Sequence, residues 1–142
     1  MVDQTQKKTI LIVDDEPDTR IFLCNILGTC GFEPVDAGDK QEGMQMARRT
    51  QPALIIIDAM MPGDEGIEMY RELRGDRQLS DVPVIMVSTV DKKTFAYYHK
   101  FQTRQEILDF PSPGAYVEIP VESDQLIEMV RALISEDHCR LA

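Results

Sequence analysis

Two apolar runs in this chain of 142 residues break off in aspartates. Thr9–Val13 leads directly into Asp14 and Asp15, and Leu54–Ile57 leads into Asp58. Burying an unpaired carboxylate is expensive, so we do not expect these aspartates inside the hydrophobic core that the apolar residues form. The runs therefore predict buried parallel strands whose carboxyl ends reach one rim of an α/β sheet, which is where open sheets of this kind form their sites.

Three carboxylates at one rim would repel one another. A hard divalent cation with oxygen ligands, such as Mg²⁺, relieves that repulsion. The residues thus predict an acidic metal site on an α/β fold, with one carboxylate free to do chemistry.

The composition is that of one globular domain with its own core. Hydrophobic residues make up 43% of the chain, and the formal net charge is −10. An acidic surface disfavours direct binding to nucleic acid or to anionic membranes, because both need a basic face. The longest apolar run is far too short for a membrane span, and the N-terminus lacks the apolar core of a signal peptide. We therefore expect a cytoplasmic protein.

Periodicity and turn residues predict strands and helices in alternation. The strands are expected at about 9–14, 33–37, 54–58, 82–88 and 115–119. Helices are expected from Pro17, after an Asp39 cap, over 67–74, over 94–108 and after a Ser123 cap. This order predicts a doubly wound, five-stranded parallel sheet in a single domain over 9–137, with tails at 1–8 and 138–142.

The segment between strands 4 and 5 contains five of the nine aromatic residues. These are Phe95, Tyr97, Tyr98, Phe101 and Phe110. We expect most of the rings to cover the sheet, the alternative being that some form an exposed docking surface.

Several short motifs fall at the ends of the predicted strands. They are the Asp14-Asp15 pair, Asp58 followed by Met61-Pro62 and Gly66, Ser88, and Tyr116 followed by Pro120. Together they make residues 8–137 resemble the receiver domain of bacterial two-component response regulators. The resemblance implies a flavodoxin-like fold and a signalling role rather than an enzymatic one, apart from the domain's own phosphorylation and dephosphorylation.

The resemblance also implies roles for individual residues. Asp58 would be the phosphoacceptor, taking a phosphoryl group from a histidine kinase or a phosphotransfer protein. Mg²⁺ would be bound by Asp15, Asp58 and the backbone carbonyl of Met60, and through water by Asp14. In phosphoryl transfer the cation offsets negative charge on the attacking and transferred oxygens.

Two further residues match the switch of such domains. The Ser88 hydroxyl would turn toward the phosphoryl oxygens, and Tyr116 would then rotate inward. The phosphoryl charge would thereby bias a surface made by the fourth helix, strand 5 and the last helix toward an unidentified protein target. The resemblance also implies a cis peptide bond between Ile119 and Pro120.

The chain departs from the family pattern at one position. Ile119 occupies the slot before Pro120 in which receiver domains carry a lysine, and Glu118 should point to the opposite face of the strand. One explanation is that another cation reaches the site, with Lys92 and Lys93 as candidates. A second is that phosphorylation is retained and its coupling to the surface is weakened or lost. A third, which the expected positions of Tyr116 and Pro120 disfavour, is a misplaced register of strand 5.

Three functions compete on this basis. The first is a phosphorylatable receiver that signals by protein–protein contact, and the second is an atypical receiver that acts as a phosphorylation-independent interaction module. The third is a Mg²⁺-dependent hydrolase with an aspartyl-phosphate intermediate. The sequence Asp14-Asp15-Glu16 lacks the Asp-x-Asp pair of such hydrolases, which disfavours the third.

Overall fold

A computed structural model describes the backbone of residues 7–141 and the side chains of residues 7–134. Residues 1–6 of the expected N-terminal tail, and Ala142 of the expected C-terminal tail, lie outside the described residues. The last helix includes the other residues of that C-terminal tail.

Five strands, six α-helices and one short 3-10 helix, Pro62–Asp64, occur in the described part of the chain. The strands are β1 (Thr9–Val13), β2 (Glu33–Ala37), β3 (Leu54–Asp58), β4 (Val84–Ser88) and β5 (Gly114–Glu118). The helices are α1 (Pro17–Thr29), α2 (Lys40–Thr50), α3 (Glu65–Gly75), α4 (Lys92–Tyr98), α5 (Arg104–Asp109) and α6 (Ser123–Leu141). All strand pairs are parallel, in the order β2-β1-β3-β4-β5. The doubly wound, five-stranded parallel sheet predicted from the sequence is confirmed.

The three central strands are buried on both faces, as their unbroken apolar sequences require. Successive side chains point to opposite faces, so Leu11 and Ile55 join a core with α2, α3 and α4. Ile12 and Ile56 join a second core with α1 and α6. Among the described residues, no helix combines the length and the apolar character needed to cross a membrane.

Helix ends follow local chemistry, with small differences from the sequence prediction. Asp39 caps α2 by accepting a hydrogen bond from the Glu42 amide at 2.8 Å, as expected. The Glu42 carboxylate, however, accepts from the amide of Gly38 rather than from that of Asp39. Ser123 is the first residue of α6 rather than its cap, because the first helical bond runs from Leu126 back to the carbonyl of Glu122.

The prediction of one helix over 94–108 was wrong. Helix α4 ends before His99, Lys100 takes a positive φ of 56°, and the Thr103 hydroxyl caps a new helix, α5. A residue in the left-handed region cannot continue a right-handed helix, so the segment bends there. Strand β4 likewise begins two residues later than expected, because Pro83 has no N–H to donate to the ladder.

The aromatic residues of this segment are divided between the core and the surface. Phe95 and Phe110 are buried and stack with ring centroids 5.6 Å apart, and Phe101 packs edge-on against both. Tyr97 and Tyr98 are 84% and 74% exposed. Most of the rings therefore cover the sheet, as expected, and a docking role for the two exposed tyrosines stays a prediction.

The turn that leads into β5 is anchored by α3. The half-buried guanidinium of Arg74 donates hydrogen bonds of 2.7–3.1 Å to four main-chain carbonyls. They belong to Ser80, Val82, Ser112 and Pro113. A single side chain thus ties the starts of β4 and β5 together. The Ile119–Pro120 peptide bond is cis, as expected.

Candidate functional site

The three aspartates singled out in the sequence meet at the carboxyl ends of β1 and β3. Val13 pairs with Ile57, so Asp14 and Asp58 leave adjacent strands at the same level. Carboxylate oxygens of Asp14, Asp15 and Asp58 lie within 4.8 Å of one another. Asp14 is buried, Asp58 is partly buried and Asp15 is exposed. The predicted convergence of these carboxylates is confirmed.

Main-chain hydrogen bonds orient two of these carboxylates. Asp14 Oδ1 accepts from the amide of Glu16 at 2.9 Å, and Asp58 Oδ1 accepts from the amide of Met60 at 2.8 Å. Each bond spans two residues, a turn geometry that aspartate favours. One oxygen of each carboxylate is thereby held by its own loop. The ligand role of the Met60 carbonyl stays a prediction.

Burial and mutual repulsion favour the protonated form of this cluster. Burial is the largest effect raising the pKa of Asp58 to about 7; the Met60 amide opposes it, and the charges of Asp14 and Asp15 add to it. Burial also raises the pKa of Asp14, against the hydrogen bond from Glu16. Full ionisation of the cluster is therefore unfavourable without a bound cation. The three side chains offer carboxylate oxygens as metal ligands, which suits Mg²⁺.

The loop after Asp58 packs tightly against the start of α3. A Cβ atom on Gly66 would lie 2.5 Å from the carbonyl oxygen of Asp58 and 3.0 Å from the Cα of Ala59. Only glycine leaves room for this approach. Gly66 therefore sets how closely α3 supports the loop that holds Asp58.

Ser88 and Tyr116, the two residues matched to the switch, are both held by Val90. The buried Ser88 hydroxyl accepts from the amide of Val90 at 3.0 Å, and the Tyr116 hydroxyl donates to the carbonyl of Val90 at 2.8 Å. The Tyr116 ring packs on Phe95, with centroids 5.7 Å apart. Burial raises the pKa of the Tyr116 hydroxyl. The structure thus joins the two side chains through one residue of the β4–α4 loop.

Ile119 brings no charge to the site. Its side chain packs with the α1/α6 core and lines an apolar cavity of about 390 Å³ beside α1. Glu118 is exposed. Among the described side chains, neither Lys92 nor Lys93 forms an ion pair with the three aspartates. Burial lowers the pKa of Lys92, and the charge that opposes this effect is that of Asp109 in α5.

Arg20 in α1 is a cation beside the cluster that the sequence analysis missed. Its Nη1 donates to the carbonyl oxygen of Asp14 at 2.6 Å, and its Nε pairs with Asp36 Oδ2 at 3.0 Å. The guanidinium charge counters part of the increase in the pKa of Asp14. The sequence signal was slight: an arginine in the second turn of the helix that follows the aspartate pair.

Comparison with known proteins decides the family. A family model described as the response regulator receiver domain matches residues 10–104. The chain belongs to this family. Receiver domains are signalling modules of two-component systems that interact with histidine kinases and downstream targets, and they are generally not enzymes.

Individual relatives agree with this assignment. Protein PilH of Pseudomonas aeruginosa is 30% identical over 126 residues, which cover 89% of this chain and 97% of PilH. The DNA-binding response regulator MtrA of Mycolicibacterium smegmatis is 33% identical over 90% of this chain, which spans 51% of MtrA.

Solved structures show the same fold. The receiver domain of the Francisella response regulator 1452 superposes with a TM-score of 0.73 at 26% identity, covering 92% of this chain and 99% of that domain. The chemotaxis protein CheY4 of Vibrio cholerae gives 0.74 at 21% identity, covering 90% of this chain and 99% of CheY4.

Proposed function

We propose that this receiver domain is phosphorylated on Asp58 in a Mg²⁺-dependent phosphorelay and signals by protein–protein contact. The observation that carries the proposal is the meeting of three carboxylates at the ends of β1 and β3. Asp58 is one of the three, partly buried and with its pKa raised to about 7. A strongly perturbed carboxylate in an acidic cluster is a candidate functional group with a physical cause.

Asp15, Asp58 and the Met60 carbonyl would hold Mg²⁺, with Asp14 acting through water. When bound, the ion offsets negative charge on the attacking and transferred oxygens. The ionised Asp58 carboxylate attacks the phosphorus of a phosphohistidine, forming an O–P bond as the donor's N–P bond breaks. The N–P electron pair leaves with the donor imidazole. The bond from the Met60 amide holds one Asp58 oxygen and so orients the nucleophile.

Ser88 and Tyr116 would report the new charge. If the Ser88 hydroxyl turns toward the phosphoryl oxygens, the Val90 amide loses its acceptor. The Val90 carbonyl is the acceptor of Tyr116, so the same loop movement reaches the ring. The shift would pass through Phe95 to α4 and change the face presented to a downstream protein.

A histidine kinase or a phosphotransfer protein is the proposed donor, and the cytoplasm is the proposed compartment. The net charge of −10 makes a protein a more suitable target than nucleic acid or a membrane. The alternative function is a phosphorylation-independent interaction module. The observation that favours it is Ile119, whose side chain packs into the apolar core where the family has a lysine.

Intact-mass measurement after incubation with Mg²⁺ and acetyl phosphate tests the proposal. We expect the chain to gain one phosphate and Asp58→Asn to gain none. Asp64→Asn is a matched control, because Asp64 is an exposed carboxylate six residues away whose positive φ asparagine tolerates. Absence of the gain in the native chain would favour the alternative function, and its persistence in Asp58→Asn would remove Asp58 as the phosphoacceptor.

A further inference from the structure

We propose that Arg20 is a positioning residue for the Mg²⁺ site, because its guanidinium fixes the peptide unit that joins Asp14 to Asp15. The inference rests on the proposed function. It adds a residue that lies outside the strand-end motifs described above and that touches no reacting atom.

The contacts of Arg20 bridge two strands. Nη1 donates to the carbonyl oxygen of Asp14 at 2.6 Å, at the end of β1, and Nε donates to Asp36 Oδ2 at 3.0 Å, in β2. The Arg20 side chain is 22% exposed. A guanidinium is a rigid planar fork, so two acceptors held at once define its position. Charged donors also make stronger hydrogen bonds than neutral ones.

The bond to the Asp14 carbonyl acts on Asp15. A peptide unit is planar, so holding the carbonyl of one residue orients the amide and the Cα of the next. The Asp14 amide is already bonded to the Ala37 carbonyl at 3.1 Å, and Asp14 Oδ1 accepts from Glu16. With Arg20 on the carbonyl, the turn that presents Asp15 is fixed from three sides.

The space for the guanidinium is a second, independent observation. Nη1 lies 3.2 Å from the point that a Cβ atom on Gly38 would occupy, so a larger residue there would crowd the guanidinium. The amide of Gly38 donates to Glu42 Oε1 at 2.7 Å, which holds this glycine in place. The connection between β2 and α2, where Gly38 lies, therefore leaves the space that the Arg20 guanidinium occupies.

Charge and position predict opposite results when Arg20 is removed. Loss of a positive charge beside three carboxylates would by itself strengthen the binding of a cation. Loss of the fork would release the Asp14–Asp15 turn and weaken binding. The sign of the change in Mg²⁺ affinity therefore separates a positioning residue from a charge that only lies nearby.

Calorimetric titration of the full chain with Mg²⁺ provides the measurement. We expect Arg20→Gln to bind Mg²⁺ about 10-fold more weakly, the size typical of residues that orient metal ligands. Arg20→Lys should lose most of the same affinity, because lysine keeps the charge without the fork, and Asp36→Asn should lose part of it. Arg131→Gln is the control, since Arg131 is exposed and donates to the Cys30 carbonyl on the α1/α6 side.

A second readout needs no metal. The Asp15 amide should show a changed chemical shift in metal-free Arg20→Gln and Arg20→Lys and an unchanged shift in Arg131→Gln. Should Arg20→Gln fail to fold, Arg20→Lys decides, because it keeps the positive charge, so a charge that only lies nearby would leave the Mg²⁺ affinity unchanged. Unchanged or tighter Mg²⁺ binding in the folded Arg20 variants, with normal binding by the native chain, would overturn the role of Arg20 alone. Failure of the native chain to bind Mg²⁺ would overturn the metal site and this role together.

Discussion

Metal-free protein should lose stability as the pH rises through neutrality, because of Asp58. The pKa of Asp58 is raised from 3.8 to about 7 in the folded chain, so the folded state prefers the protonated carboxyl. The resulting stabilisation is fully present below the unfolded pKa of 3.8 and is lost as the pH passes through about 7. Burial is the main cause, and the charges of Asp14 and Asp15 add to it.

The magnitude follows from the shift. A change of one pKa unit corresponds to about 1.4 kcal/mol, so a shift of about 3 units sets an upper limit of roughly 4 kcal/mol. Asp58 is only partly buried, and solvent screening reduces this figure to about 1–2 kcal/mol. Mg²⁺ competes with the proton for the same carboxylate, so its apparent affinity should fall as the pH drops below about 7.

Urea unfolding of metal-free protein across about pH 5 to about pH 8 is the assay. We expect the free energy of unfolding to fall with pH by about 1–2 kcal/mol in the native chain and to change far less in Asp58→Asn. Saturating Mg²⁺ should remove most of the decline, because the bound ion replaces the proton. A free energy of unfolding that rises across this range in metal-free native protein, with no difference from Asp58→Asn, would refute the reasoning.

Four further substitutions test other parts of the structure. Asp15→Asn should weaken Mg²⁺ binding with the fold intact; unchanged affinity in a titration would remove Asp15 from the ligand set. Gly66→Ala should lower the free energy of unfolding in urea by about 1–3 kcal/mol, because its Cβ would meet the carbonyl of Asp58 at 2.5 Å; native stability would contradict this packing. Arg74→Gln should lower it by about 2–4 kcal/mol, since four main-chain carbonyls lose a charged donor; a loss of a few tenths would contradict the anchor. Ile119→Lys should enlarge the amide shift changes caused by beryllofluoride and Mg²⁺, because it restores a cation near the phosphoryl position; equal shifts in both proteins would show that the slot no longer matters.

The fold was predictable because its strongest signals are local. Unbroken apolar runs predicted the buried strands, and the aspartates at their ends predicted the acidic cluster at the edge of the sheet. The errors fall where tertiary context overrides a pattern. The break after α4 depends on a positive φ at Lys100, which no periodicity signals.

The contacts that organise the site were not predictable from the sequence. Arg20 reaches the Asp14 carbonyl, and Val90 joins Ser88 to Tyr116, through side-chain conformations and main-chain acceptors that leave no periodic trace. A sequence pattern shows which residue types converge on a strand end. It does not show which neighbouring carbonyl a long side chain will bind.

The position of Arg20 also bears on Ile119, which stands where the family resemblance places a lysine. In the strand order β2-β1-β3-β4-β5, Arg20 binds β1 and β2, on the side of Asp58 away from β4 and β5. A phosphoryl group adds about −2 charge, and Arg20 with Mg²⁺ can offset part of it at the Asp14 side. Ser88 and Tyr116 lie on the other side, where Ile119 supplies no charge. We therefore expect Asp58 to be phosphorylated although Ile119 replaces the lysine. The conformational change of Ser88 and Tyr116 should be smaller than in a receiver domain that has the lysine.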